Sequence, residues 1–266
     1  MRTQTETRTR LDEAVVARGL AETRSKARAV ILAGDVTVNG VANVRAGSSV
    51  RDSDILALKA KPRFVSRGGE KLAHALQEFS LDVSGKVCAD IGASTGGFTD
   101  CLLQAGAGRV YAVDVGYGQL DAKLRDDARV LVMERTNARY LDSLPEPVSL
   151  VTIDVSFISL ELILPVAARL LADDGRCLPL IKPQFEAGKG EVGARGVVRS
   201  PEVHRRVLEK VLANAVGNSF KPVGLTTSPL RGPEGNVEFL ALLQKDGGDE
   251  PIGAIADLVE CVLGAA

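Results

Sequence analysis

Most of the chain alternates short apolar runs with longer stretches in which apolar residues recur every three or four positions. The runs are 86–93 (KVCADIGA), 109–116 (RVYAVDVG), 129–135 (RVLVMER), 149–156 (SLVTIDVS) and 175–183 (GRCLPLIKP). Continuous apolar runs of this length predict strands buried on both faces, and the periodic stretches between them predict crossover helices. Such alternation implies an α/β fold with a parallel sheet. Two further runs, 222–230 (PVGLTTSPL) and 236–244 (NVEFLALLQ), lie close together and predict a final antiparallel pair. The first 58 residues have a different rhythm. Leu11, Val15 and Val16 have helical spacing and stop at Gly19-Leu20. Thr23 is the expected N-cap of a second helix with a buried face of Ala27, Val30 and Ile31, ended by Gly34. The alternating stretch 35–40 (DVTVNG) closes on Asn39-Gly40, a tight hairpin signal. Pro62 and Gly68-Gly69 predict a linker over 59–68, leaving domains at 1–58 and 69–266.

Composition narrows the class. Hydrophobic residues make up 45% and charged residues 25%, which predicts ordinary globular folding. Aromatics are 4% and Trp is absent, so the core must come from Val, Leu, Ile and Ala. The polar start has no signal-like apolar segment. The most apolar region, 148–168, is broken by Asp154 and Glu161, so a membrane span is not expected. Cys88, Cys101, Cys177 and Cys261 form no CxxC pair, and His74 and His204 are the only histidines. That pattern predicts neither a metal site nor a disulfide framework, and a reducing cytoplasmic location. The net charge of −1 conceals an asymmetry: residues 1–67 hold thirteen basic and seven acidic residues, the remainder twenty and twenty-seven. A basic segment beside an acidic body suggests contact with a polyanion, the alternative being a solvated basic surface.

The N-terminal helix–helix–hairpin pattern resembles the S4 RNA-binding domain, on Arg10-Leu11-Asp12, Gly19-Leu20, Arg24, Ala27, Ile31, Gly34, Val36, Val38 and Asn39-Gly40. That resemblance implies a grip on structured RNA through phosphates and shape. Arg10, Arg24, Lys26 and Arg28 are the candidate contacts, with Arg67 beyond the linker.

In the larger domain the stretch 90–100 (DIGASTGGFTD) places Gly92, Ser94, Gly96 and Gly97 between a strand and a helix. The spacing departs from the G-x-G-x-x-G of dinucleotide binding and contains no P-loop. Asp90, expected beside the ligand, would repel a pyrophosphate but not a cationic amino acid. Asp114 ends the next strand and can accept from ribose hydroxyls. These features and the closing antiparallel pair resemble the seven-stranded, Rossmann-like sheet of S-adenosylmethionine-dependent methyltransferases. Tight βα turns also need glycine, so the glycines alone do not decide.

Four charged residues stand in or beside apolar sequence: Lys71, Asp154, Lys182 and Glu238. Asp154 and Lys182 fall near the carboxyl ends of expected parallel strands, where such sheets bind ligands, and Glu238 is read inside the last strand. Each alone could be a strand-end surface charge. Together with SRGGEKL, GASTGGFTD, DVGYGQL, ERTNAR, DVSFISL, KPQFEAGKG and GNVEF, in that order, they make the chain similar to the TlyA (hemolysin A-type) family. The catalytic domain of that family is similar to FtsJ-type RNA 2′-O-methyltransferases. The resemblance implies that Lys71, Asp154, Lys182 and Glu238 form a catalytic tetrad, that S-adenosylmethionine is the methyl donor, and that the substrate is a cytidine 2′-hydroxyl of ribosomal RNA. By the same resemblance, members with residues beyond the last strand are expected to act on both ribosomal subunits, and about 20 follow here. The linker KPRFV lacks the Trp sometimes found there.

A ribose hydroxyl must be aligned and deprotonated to attack, and Lys182 is the candidate base. A coupled cluster need not have a single base. Phe157 is placed against the cofactor or in the core, and Asn137 at the adenine end or in a turn. The Gly-rich loop 186–198, with Lys189 and Arg195, closes over RNA or faces solvent. The competing readings are a pore-forming hemolysin, a non-catalytic RNA-binding ribosome factor and a small-molecule methyltransferase. The missing membrane segment, the complete tetrad and the basic N-terminus, respectively, argue against them.

Overall fold

The computed structural model describes residues 8–42, 45–59, 62–188, 190–245 and 252–264. The chain divides into two units, Met1–Pro62 and Arg63–Ala266.

In the first unit, β1 (Arg8–Arg10) leads directly into α1 (Leu11–Ala17) and pairs antiparallel with β4 (Ser49–Arg51). The Thr23 side chain accepts from the Lys26 amide, and α2 (Arg24–Leu32) follows. Strands β2 (Val36–Val38) and β3 (Val41–Ala42) form a hairpin, and β5 (Leu56–Leu58) pairs on the other side of β2. Val38 faces Val41 across a two-residue turn in which Asn39 and Gly40 both have positive φ, as the Asn-Gly signal requires. Leu11, Ala14, Val15, Ala27, Ile31, Val36 and Val50 make a small core.

The second unit opens earlier than the expected linker end. Phe64 is buried, and a Cβ on Gly69 would lie 2.2 Å from its ring, so residues 63–68 pack with the larger unit. Helix α3 (Gly68–Glu78) precedes β6 (Val87–Ile91), α4 (Gly97–Gln104), β7 (Arg109–Val113), α5 (Ala122–Arg125), β8 (Val130–Met133) and β9 (Val148–Ile153). Then come α6 (Leu164–Leu170), β10 (Leu171–Ile181), α7 (Pro183–Glu186), α8 (Pro201–Gly217), β11 (Phe220–Thr227), β12 (Phe239–Lys245) and α9 (Ile252–Gly264). The seven-stranded order is β11-β12-β10-β9-β6-β7-β8. β8, β7, β6, β9 and β10 run parallel, and β12 is antiparallel to both β10 and β11.

Alternation along the strands fills two cores. Cys88, Val110, Leu150 and Leu178 face α3 and α4. Ala89, Tyr111, Val151 and Cys177 face α6, α8 and α9. The tail, which carried no expected element, therefore contributes a helix whose Ile255 and Val259 are buried in the main core.

Candidate active site

Strands β6 and β9 are neighbours, but the chain continues from them to opposite sides of the sheet. The crevice at their carboxyl ends is the topological switch point where open α/β sheets bind ligands. The Asp154 amide donates to the Ile91 carbonyl at 2.9 Å and draws the two strand ends together. Gly92 has φ +85°, and a Cβ there would lie 2.5 Å from the Asp154 carbonyl oxygen. Gly97 is equally constrained, since a Cβ there would lie 2.1 Å from the Ser66 hydroxyl. The loop thus exposes bare backbone to the crevice. Gly96 serves otherwise: it lines neither of the two cavities described below, and its missing side chain makes room for Leu120 and Leu124.

A cavity of about 680 Å³ opens over this loop, and Lys71, Asp154, Lys182 and Glu238 all line it. They form two ion pairs. Lys71, from the start of α3, meets Glu238, and both are buried. Glu238 stands one residue before β12 rather than inside it. Lys182, at the end of β10, has its ammonium 2.6 Å from Asp154 Oδ1 and 3.0 Å from both the Val155 carbonyl and the Ser156 hydroxyl. Three acceptors match the three protons of an ammonium. Buried ion pairs contribute little net stability, because desolvation offsets their attraction. Two of them facing one cavity point to chemistry.

A second cavity of about 360 Å³ shares Gly92, Ser94, Asp154, Ser156 and Phe157 with the first. Ile91, Val113, Ala138 and Ile163 give it apolar walls, with Asp114 and Asn137 at its polar edge. Asp114 Oδ2 accepts from the Ser94 amide at 2.8 Å and Oδ1 from the Gly116 amide at 2.7 Å. Asn137 both lines the cavity and makes a turn, accepting from the Arg139 amide at 3.1 Å. Apolar walls ending in a carboxylate suit a purine with its ribose hydroxyls. Asp154 is the acidic residue common to both cavities, and its carboxylate is paired with Lys182.

Two expectations need correction. Asp90 lines neither cavity: it is fully buried, and its carboxylate accepts from Thr99 Oγ1 at 2.7 Å and Thr152 Oγ1 at 3.1 Å. Burial, reinforced by the nearby Asp154 charge and opposed by the two threonines, pushes its pKa up to about 7. It braces β6 against α4 and β9. Phe157 is not a core residue; it is 91% exposed, has φ +63° and lies with its ring centroid 5.0 Å from that of Phe185.

In the first unit, Arg10, Arg24 and Arg28 converge on one buried carboxylate, Asp12, at 3.1, 3.0 and 3.0 Å. Lys26 pairs with Glu22. All four cations keep about half of their side chains exposed, leaving outer faces open to an anion. Arg67 belongs to the second unit, lines the larger cavity and donates to the Arg231 carbonyl at 2.7 Å. Lys189 lies outside the described residues. Arg195 sits at φ +65° in the 3₁₀ turn Ala194–Gly196.

The sequence reading missed Ser156 and Glu186. Glu186 is buried and accepts from Ser159 Oγ and the Leu160 amide, with burial raising its pKa. A carboxylate four residues after Lys182, directly following Phe185, was the available signal.

The seven-stranded order with its closing antiparallel pair is that of a methyltransferase sheet, and two lysine–carboxylate pairs, Lys71–Glu238 buried and Lys182–Asp154 partly buried, line its switch-point crevice. The FtsJ-like methyltransferase family matches residues 64–245, so the chain belongs to that family, and an S4 domain matches residues 9–54. The 16S/23S rRNA (cytidine-2'-O)-methyltransferase TlyA of Mycobacterium tuberculosis is 45% identical over 241 residues, covering 89% of this chain and 90% of that protein. YqxC of Bacillus subtilis, named as an rRNA methyltransferase, is 51% identical over 246 residues, 90% of this chain and 86% of that one. A solved structure from Streptococcus thermophilus, named as a hemolysin, is 46% identical with a TM-score of 0.72, covering 97% of this chain and 96% of the other. Among the described residues, no helix is long and apolar enough to cross a membrane.

Proposed function

We propose that this methyltransferase transfers a methyl group from S-adenosylmethionine to the 2′-hydroxyl of a cytidine in ribosomal RNA, within the cytoplasm. The observation that carries the reading is the opening of both pairs, the partly buried Lys182–Asp154 and the buried Lys71–Glu238, into one cavity beside the glycine loop. Gly92, Ser94, Gly97, Asp114 and Asn137 would hold the donor along the joined cavities. When bound, it supplies an electrophilic methyl on a sulfonium sulfur.

The residues of this chain then position the substrate and move a proton. Phe157, exposed above both cavities, offers a face on which an unstacked base can rest, and so brings the ribose over the ion pairs. Lys182 handles the proton. When the ribose hydroxyl displaces the Ser156 contact, Lys182, having first given up a proton to solvent, would take the hydroxyl proton while the ribose oxygen–methyl bond forms, the methyl–sulfur bond of the donor breaks and its sulfur leaves as a neutral thioether. Lys71 and Glu238 hold each other in the opposite wall and orient the sugar. The half-exposed Arg10, Arg24, Lys26 and Arg28, with Arg67 at the cavity, supply phosphate contacts.

The buried tail helix, together with the activity named for the Mycobacterium tuberculosis relative, supports action on both ribosomal subunits. The test is transfer of tritium from labelled S-adenosylmethionine to purified large and small subunits, followed by mapping of the label. Label on a cytidine 2′-oxygen is the expected result. Label on a base, or none on either subunit, would overturn the reading.

A further inference from the structure

One side chain fastens the turn before Glu238 to the glycine-rich loop. Asn236, 1% exposed, stands two residues ahead of Glu238. Its Oδ1 accepts from the Val198 amide at 2.9 Å, and its Nδ2 donates to the Gly196 carbonyl at 2.9 Å. Its own carbonyl accepts from the Gly232 amide at 2.9 Å and closes the turn 232–236. The Glu238 carboxylate lies against that turn: a Cβ on Gly232 would come within 2.6 Å of Glu238 Oε1. A second tether ends at the same place. His204 Nε2, from α8, donates to the Val198 carbonyl at 3.2 Å, and its ring packs edge-on against Phe239, the residue after Glu238. Both polar groups of the Val198 backbone are thus matched by side chains that also hold the two flanks of Glu238. Loop and turn both face the larger cavity, through Gly196 on one and Pro233 and Glu234 on the other.

We propose that Asn236 is a positioning residue for methyl transfer: by locking the loop to the turn it fixes Glu238, and through Glu238 the Lys71 ammonium, in the cavity wall that orients the ribose. The proposal rests on the ribose-methylation reading above. Gly196 and Gly235 have φ +74° and +94°, so each segment contains a joint with much backbone freedom to lose. The order of this wall therefore depends on bonds made by side chains. A primary amide suits the lock because it offers one acceptor and one donor side by side, matching an amide and a carbonyl two residues apart. Displacement of a reacting group by about 1 Å can cost a large factor in rate, even when the change lies away from the chemistry.

The test uses the full chain and purified ribosomal subunits. In Asn236→Ala, amide hydrogen exchange should speed up at Val198 and also at Ser228, whose amide donates to the Glu238 carbonyl at 2.8 Å, and stay unchanged in β6 and β9. Single-turnover methyl transfer should fall roughly 10-fold or more. Calorimetry should give the wild-type affinity and stoichiometry for S-adenosylmethionine, and KM for the subunits should hold. Adding Asn236→Ala to Glu238→Gln should slow transfer no further than Glu238→Gln alone. A full transfer rate in Asn236→Ala would overturn the proposal, as would a multiplied loss in the double variant or unchanged exchange at Ser228. Lost cofactor binding would overturn it too, because Asn236 would then support the unit as a whole. A wild type that transfers no methyl to either subunit would instead sink the ribose-methylation reading, and this proposal with it.

Discussion

Glu186 and Ser159 are joined by a 2.7 Å hydrogen bond that ties the segment after Asp154 to the helix after Lys182. The other Glu186 oxygen accepts from the Leu160 amide at 2.8 Å, so the loop is held at two points. The relative placement of Asp154 and Lys182 depends on this clamp. Glu186→Ala leaves a buried amide and hydroxyl unmatched and should cost about 1–3 kcal/mol of stability. Methyl transfer should fall through kcat, with the KM for S-adenosylmethionine little changed. Glu186→Gln keeps an acceptor for Leu160 and should recover most of the rate. An Ala variant with full kcat would remove the clamp from the mechanism.

Asp90 should give the protein an alkaline-leaning stability loss. Its carboxyl ionises near pH 4 in an unfolded chain and at about 7 in the fold, chiefly because it is buried. Between those values the folded state binds the extra proton, so stability falls as pH rises and the loss is complete above about 7. Asp90→Asn keeps one acceptor and one donor for Thr99 and Thr152 but removes the charge. Its urea midpoint should vary less than that of the wild type between about pH 4 and pH 7. Parallel pH profiles would show that the slope originates elsewhere.

The difference between Asp90 and Asp154 also shows what could be read without coordinates. Strand rhythm gave the parallel sheet and the final antiparallel pair, because runs buried on both faces admit few alternatives. It placed Asp154 and Lys182 at strand ends, where β9 and β10 stop. It could not say which way the Asp90 side chain turns. That depends on whether two threonines, nine and sixty-two residues away, offer hydroxyls inside the sheet. Gly92 and Gly96 looked alike in sequence, yet one bares backbone to the crevice and the other admits leucines from α5 and the segment before it. The tail was opaque for a related reason. Its helix is stabilised by burial against α8 and β11.

Asp12 should be the point of acid sensitivity in the first unit. The hydrogen bond from Arg10, with those from Arg24 and Arg28, holds its carboxyl far below the usual carboxylate range. A depressed pKa contributes stability that is present above the unfolded value near pH 4 and lost as pH falls toward the folded one. Asp12→Asn should therefore speed amide hydrogen exchange in α1 and α2 at pH 7 while leaving the sheet of the second unit unaffected. Unchanged exchange would mean that the three arginines need no central anion.

Removal of residues 1–62 should separate RNA affinity from cofactor binding. The first unit has its own core and its own basic surface, while both cavities are lined by residues of the second. The truncated protein should bind S-adenosylmethionine as the full chain does and bind ribosomal subunits more weakly. Each lost phosphate contact lowers the slope of log affinity against log salt by roughly one. A truncated protein with the full-length slope would show that its phosphate contacts lie elsewhere.

Lys182 gives the sharpest test, because its geometry admits two roles. Its ammonium is matched by Asp154, Val155 and Ser156, an arrangement equally suited to a brace and to a base waiting for a hydroxyl to displace one partner. Pro183 begins α7 immediately afterwards, so the backbone at Lys182 is extended and fixed. If Lys182 takes the hydroxyl proton, Lys182→Ala should slow single-turnover methyl transfer by roughly 10²-fold or more. S-adenosylmethionine and subunit affinities should change little. Lys182→Arg separates the roles. A guanidinium can still pair with Asp154 but does not give up a proton near neutral pH, so a brace would survive the change and a base would not. Substantial activity in the Arg variant would leave Lys182 as a positioning group for Asp154. Full activity in the Ala variant would remove the pair from catalysis altogether.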